Sequence, residues 1–233
     1  MTSQPNVRQS DRLPRGALDR ATVVAAALEL ADRDGLNAVT MARVAAALGA
    51  SPMSLYRHLR DKQELLEAVA DLAMSQSPTI AQDGRPWRVR LEEYALAARR
   101  ATQRHPAVIE IVLDNHLYGP AATAVGLDLL ALLHEAGFDD DSTIRAYMAL
   151  RNHMIGAMAW EISRFRHGSA GFTQQVVDSF ASHDMPPDSP LWRLGELVTE
   201  DPEAQFVFGI GRLLDGFEAE LRRIRRKSRG SRG

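Results

Sequence analysis

The chain has 233 residues, 45% of them hydrophobic and 25% charged, a balance that supports a globular core and excludes disorder throughout. It contains no cysteine, which excludes a disulfide framework and a thiolate metal site. A formal net charge of only −2 argues against a protein that coats nucleic acid over its whole surface.

Residues 1–16 carry Pro5, Pro14, Gly16, Arg8, Arg12 and Arg15 without any apolar period and read as a disordered arm. They lack the apolar run of a signal peptide, and no later stretch is apolar enough to span a bilayer, so the expected location is the cytoplasm with no membrane partner. From Leu18 to about Asp34, Val24, Ala27, Leu28 and Ala31 fall on one face of a helix that Gly35 stops. Thr40 is placed to cap a second helix through Leu48, and Gly49 to end it in a left-handed turn. Ser51 is expected to cap a third helix that Pro52 opens. Asp61 with Glu64 reads as a capping box opening a fourth helix through about Gln76.

The turn-rich stretch SPTIAQDGRPW, near residues 77–86, reads as a domain joint. Beyond it every apolar pattern is helical: Trp87 to Arg104, Ala107 to Asn115, Ala121 to Ala136, Ser142 to Arg166, Pro190 to Val198 and Pro202 to Arg226. No alternating run between hairpin turns occurs, so no sheet is expected. The segment HGSAGFTQQVVDSFASHDMPPDSP, at 167–190, mixes turn residues with a weak helical pattern and reads as the most mobile part of the body.

Two short helices joined by a glycine turn can lay one helix across a DNA backbone and push the second into the major groove. In SPMSLYRHLRDK, Leu55 and Leu59 lie four apart and can pack inward. That leaves Pro52, Met53, Ser54, Arg57 and His58 outward, a set suited to base edges and phosphates. Backbone N–H groups near Thr40 and Ser51 can hold phosphate oxygens. Charge agrees without deciding: nine basic against six acidic residues through Lys62, and twelve against twenty-four from Gln63 to Leu221. Taken singly, Tyr56, His58, Arg43 and Arg57 read equally well as ordinary surface residues; taken together at these spacings they read as DNA contacts.

The run AALELADRDGLNAVTMARVAAALGASPMSLYRHLRDKQELLEAV, with T-x-x-x-V-A-x-x-L-G, then S-L-Y-x-H and D-K, resembles the TetR family of bacterial repressors. The resemblance implies that Tyr56 and Lys62 hold phosphates and that Met53, Ser54 and His58 face the groove. Ala42 and Pro52 stand where some members carry longer polar side chains, so the operator sequence is not legible. More weakly, RHP at 104–106, HEAGF at 134–138, GAMAWE at 156–161 and QFVFGIGRLLDGFEAEL at 205–221 resemble the helical ligand and dimer domain of the family. The implied fold is all-α, with an arm (1–16), a three-helix helix-turn-helix DNA-binding domain (17–76), a helical ligand-binding and dimerisation domain (77–226) and a basic tail (227–233). The implied function is a DNA-binding transcription regulator, a repressor released from double-stranded operator DNA by a small-molecule effector, working as a homodimer without cofactor or metal.

In the last helix, Phe206, Ile210, Leu213, Leu214, Phe217 and Leu221 form a wide apolar stripe, with Gly209 and Gly216 allowing close helix approach. Beside Gly156 and Ala157, this stripe is read as a four-helix dimer interface, against the plainer reading of packing within one subunit. Asn115, Asn152, His153, Met154, Met158 and Trp160 mix polar anchors with adaptable apolar surface and are the candidate effector site.

Catalytic motifs fail on inspection: Gly209-x-Gly211 lacks a third glycine, and neither a G-x-x-x-x-G-K loop nor an H-E-x-x-H or E-x-x-H pair occurs. Asp114 and His116, two apart on a helix, diverge. The alternative class, a helical-bundle enzyme with an incidental helix-turn-helix, needs a polar site that the sequence does not offer. The basic tail is read as complementing the dipole of the last helix.

Overall fold

The computed structural model describes residues 18–115, 119–167, 174–175, 178–179, 186, 188–193 and 201–230, the side chains of 114–115, 165–167, 191–192 and 228–230 apart. Within them the chain is all-helical, without strand: α1 (Arg20–Asp34), a 3-10 turn (Leu36–Ala38), α2 (Met41–Ala47), α3 (Pro52–Leu55), α4 (Lys62–Ser75), α5 (Trp87–Arg104), α6 (Ala107–Asn115), α7 (Pro120–Ala136), α8 (Asp140–His167) and α9 (Pro202–Gly230). A 3-10 turn, Pro190–Arg193, stands where a helix to Val198 is predicted, and the rest of that stretch lies outside the described residues. The helix α9 runs on through the predicted basic tail as far as Gly230. The arm with Arg8, Arg12 and Arg15 also lies outside the described residues.

The chain divides into two compact units, one within residues 1–76 and 104–122, the other within 77–103 and 123–233. In the first, Asp19 opens α1 by accepting the Thr22 N–H at 2.8 Å, and Gly35 closes it at φ 83°. Val23, Ala27, Leu28 and Leu30 of α1, Val44 and Ala45 of α2, Leu55, Leu59, and Leu65 and Val69 of α4 share one buried core. Burying Leu55 and Leu59 completely contributes about 1.5–3 kcal/mol each. Ala107, Val108 and Ile111 of α6 belong to the same core. Packing thus places α6 with the N-terminal unit, although it follows the turn-rich joint in the chain. Its approach is fixed by His105, whose Nδ1 lies 2.6 Å from Asp32 Oδ2 and Nε2 3.2 Å from Gln76 Oε1. The start of α7 is capped from α4, since Ala121 N–H donates to Asp71 Oδ1 at 2.8 Å. Gly119 lies so close to that carboxyl that a Cβ there would stand 2.7 Å from its Cγ.

Of the three arginines buried among the described residues of the second unit, two hold its helices together. Arg90 on α5 donates to Ala81 O (2.7 Å), Gln82 Oε1 (3.0 Å) and both oxygens of Glu135 on α7 (2.9 and 3.0 Å). Arg99 on α5 makes a two-pronged bond to buried Glu161 on α8 (2.9 and 2.7 Å) and a third to Glu203 on α9 (2.8 Å). Gln103 adds a bond to Glu161 at 2.8 Å, so the carboxylate is satisfied on both oxygens, as burial of charge requires. Arg164 on α8 is the third. Around them α9 buries Phe206, Ile210, Leu214, Phe217 and Leu221, with Phe217 edge-on to Phe138 at 5.8 Å.

Candidate nucleic-acid interface

The α2–turn–α3 segment is built from its caps outward. Thr40 Oγ1 accepts the Arg43 N–H at 3.2 Å, starting α2, and Gly49 turns the chain at φ 61°. Ser51 sits at the N-cap position of α3 but makes no side-chain cap, which corrects the predicted role. Instead the Ser54 hydroxyl donates back to Ser51 O at 2.5 Å, and Pro52 at the first position removes one N–H that would need a partner. The third helix is a single turn, continued by Tyr56 N–H to Pro52 O (3.4 Å) and Leu59 N–H to Leu55 O (3.1 Å). Asp61 caps α4 through Glu64 N–H (2.8 Å), but Glu64 reaches back to Arg60 N–H (2.8 Å) rather than to the cap residue. The box is therefore one residue wider than predicted, and Glu64 also pairs with Arg20 at 3.3 Å.

Leu55 and Leu59 are fully buried and hold this segment from behind. Met53, at 75% exposure, and Tyr56, at 49%, stand out from it. Pro52, Arg57 and Lys62 are exposed, and Ser54 and His58 are partly so. The structure thus brings Pro52, Met53, Ser54, Tyr56, Arg57 and His58 together on one accessible turn, with Lys62 just beyond it. Arg43 differs, because its guanidinium is held by Asp34 Oδ2 at 2.5 Å. Among the described residues neither Arg57 nor Lys62 is in an ion pair.

The two C-terminal candidate sites rearrange. On α8, Asn152, Gly156 and Trp160 (54% exposed) lie at four-residue steps on an open face, whereas Met154 and Met158 are buried on another. Asn152 and Trp160 thus lie on a different face of α8 from Met154 and Met158, and the Asn115 side chain lies outside the described residues. His153, between the two faces, has its Nε2 buried without a partner, and burial pushes the imidazole pKa down. Of the predicted interface set, Phe206 and Phe217 are buried within the chain itself, and Gly209 makes room for His153, whose Nε2 would lie 2.6 Å from a Cβ there. Phe206 and Gly209 pack against His153 of α8, and Phe217 against Phe138 just before it. Ala157 and Leu213 are partly buried, while Gly156 and Gly216 remain on the surface. Met148, Val207 and Phe208 (65% exposed), outside the predicted stripe, also stand on the surface. Their signal was present: apolar residues off the buried stripe of an otherwise amphipathic helix. Sequence reasoning missed Arg99, Glu161 and Asp34.

Family models match both parts of the chain: bacterial regulatory proteins of the tetR family at residues 23–69, and the tetracyclin repressor-like C-terminal domain at residues 80–221. The HTH-type transcriptional repressor DrrR1 of Streptomyces coeruleorubidus is 29% identical over 232 residues, 95% of this chain and 85% of that protein. Tetracycline repressor protein class G of Vibrio anguillarum is 28% identical over 204 residues, 86% of this chain and 94% of that one. The fold matches that of the Streptomyces coelicolor TetR family protein ActR in complex with actinorhodin, at a TM-score of 0.76 and 24% identity, covering 88% of this chain and 97% of that one. The chain belongs to the TetR family, and it is a DNA-binding transcription regulator.

Proposed function

We propose that the chain is a homodimeric repressor that binds a two-fold operator through the α2–α3 turn and leaves it when a small-molecule effector binds the second unit. One observation carries the DNA contact: Met53, Tyr56, Arg57 and His58 project from a turn that fully buried Leu55 and Leu59 fix from behind. Rigid support of this kind positions base-reading groups. In this reading Met53, Ser54 and His58 meet base edges, Tyr56, Arg57 and Lys62 meet phosphates, and Pro52 and Thr40 shape the approach. The repressor sense is supported by the Streptomyces coeruleorubidus relative, a transcriptional repressor.

The dimer contact is assigned to the open face of α8 and α9, with Met148, Gly156, Trp160, Val207, Phe208 and Gly216, since exposed apolar residues beside surface glycines suit helix-on-helix docking. An effector is supported by the bound actinorhodin in ActR, a protein of the same fold. Release needs only that the effector favour a packing with the wrong half-site spacing, at a coupling energy of about 1–3 kcal/mol. No helix among the described residues is long and apolar enough to cross a membrane; work on bacterial DNA supports a cytoplasmic reading. The comparisons lend no support to the enzyme alternative. The test is ligand affinity by Trp fluorescence with and without bound DNA: linkage requires a weaker affinity on DNA, and equal affinities would show that the bound molecule is not the effector.

A further inference from the structure

The last residue of α1 carries a charge that its own helix does not favour. Asp34 lies at the carbonyl end of α1, where the macrodipole repels an anion, and its side chain caps nothing. Its carboxylate is instead gripped by two guanidinium groups, Arg33 (3.0 and 3.2 Å) and Arg43 (2.5 Å). Arg43 comes from α2, the first helix of the DNA-reading pair, the one that lies along the backbone when such a pair docks. Both arginines are largely exposed and Asp34 is partly covered by them. The hydrogen bond from Arg33, and then the charges of Arg33 and Arg43, hold the Asp34 carboxyl below the usual carboxylate range.

Resting on the DNA-binding reading above, we propose that Asp34 is an internal stand-in for phosphate: it occupies Arg43 in the free protein, must yield it to the DNA backbone on binding, and so restrains sequence-independent affinity. The exchange balances in charge, one anionic oxygen replacing another at the same guanidinium. Its cost falls equally on every DNA sequence, because a phosphate contact carries no base identity. Among the residues through Lys62, nine are basic and six acidic, so one carboxylate seated on a cation of the backbone-facing helix α2 weighs heavily in the backbone term.

The test measures binding of a random-sequence duplex, a few helical turns long, by fluorescence anisotropy across a salt series for wild type, Asp34→Asn, Arg43→Ala and the double variant. Freeing an exposed pair is expected to tighten Asp34→Asn binding about two- to fivefold at low salt. The slope of log affinity against log salt should stay within about one phosphate contact of wild type, because Arg43 meets the backbone in both complexes and only the cost of freeing it differs. In the Arg43→Ala background most of that gain should disappear. Asp34→Ser gives the same readout if the amide perturbs the helix end. Unchanged affinity in Asp34→Asn overturns the proposal, as does an equal gain without Arg43, which would be plain charge repulsion. A wild type that binds no duplex at all overturns the DNA-binding reading itself, and this inference with it.

Discussion

Gly209→Ala tests the α8–α9 packing at its closest point. A Cβ at 209 would lie 2.6 Å from His153 Nε2 and nearer still to Cε1, against an ordinary contact of 3.4–4 Å. The imidazole must retreat by most of an ångström, and with Nε2 already buried it has little room. Crowding of this kind costs about 1–3 kcal/mol. Opposing it, alanine is favoured over glycine in a helix interior by about 0.8–1 kcal/mol. Gly209→Ala alone should therefore be neutral to destabilising by about 2 kcal/mol, whereas in a His153→Ala background it should stabilise by about 1 kcal/mol. The difference is a coupling energy of about 1–3 kcal/mol. Urea unfolding followed by helical circular dichroism, at one fixed protomer concentration, measures all four proteins. If Gly209→Ala stabilises the wild type as much as it does the His153→Ala protein, the imidazole does not sit against residue 209 and the packing described is wrong.

Burial lowers the His153 pKa, so the unfolded chain takes up this proton first; stability should fall as pH drops below about 6.5 toward the folded value, and His153→Gln should lose that part of the slope in pH-dependent unfolding. Glu161→Ala leaves the Arg99 guanidinium buried with only Glu203; a loss near the lower end of about 3–5 kcal/mol is expected in urea unfolding, and a loss below about 1 kcal/mol would contradict the network. Phe208→Glu places a charge on the open apolar face of α9; light scattering should report monomers with the fold intact, and an unchanged dimer would move the interface elsewhere.

Much of the architecture is legible because local chemistry ends helices: Gly35, Gly49 and Gly137 each adopt positive φ at a helix end, and Asp61 caps as its spacing to Glu64 implies. Local signals failed where a nearer competitor won. Ser51 is a cap-type residue, yet its helix is a single turn and Ser54 spends its hydroxyl on the Ser51 carbonyl. Periodicity also shows which face of α9 is buried without saying against what, so Phe206 and Phe217 read as an interface although they pack within their own chain. The same ambiguity put Asn152 and Trp160 with Met154 and Met158, residues that α8 separates onto different faces. Arg99 and Glu161 are separated by 62 positions, and nothing local marks two charges as partners at that distance. Asp34 read only as the end of a helix, because its pairing with Arg43 depends on how α1 meets α2.

On the proposed function, the α2–α3 turn reads DNA for a two-fold protein. Footprinting and anisotropy on the DNA upstream of its own gene, for wild type beside His58→Ala and Tyr56→Phe, test it most directly. The expected result is saturable binding over two half-sites centred about 34–36 Å apart, or a multiple of that. His58→Ala should weaken only the specific site, by about 1–3 kcal/mol, and Tyr56→Phe should weaken specific and random DNA alike. Folded variants that bind as wild type does, or a single unpaired footprint, would contradict it.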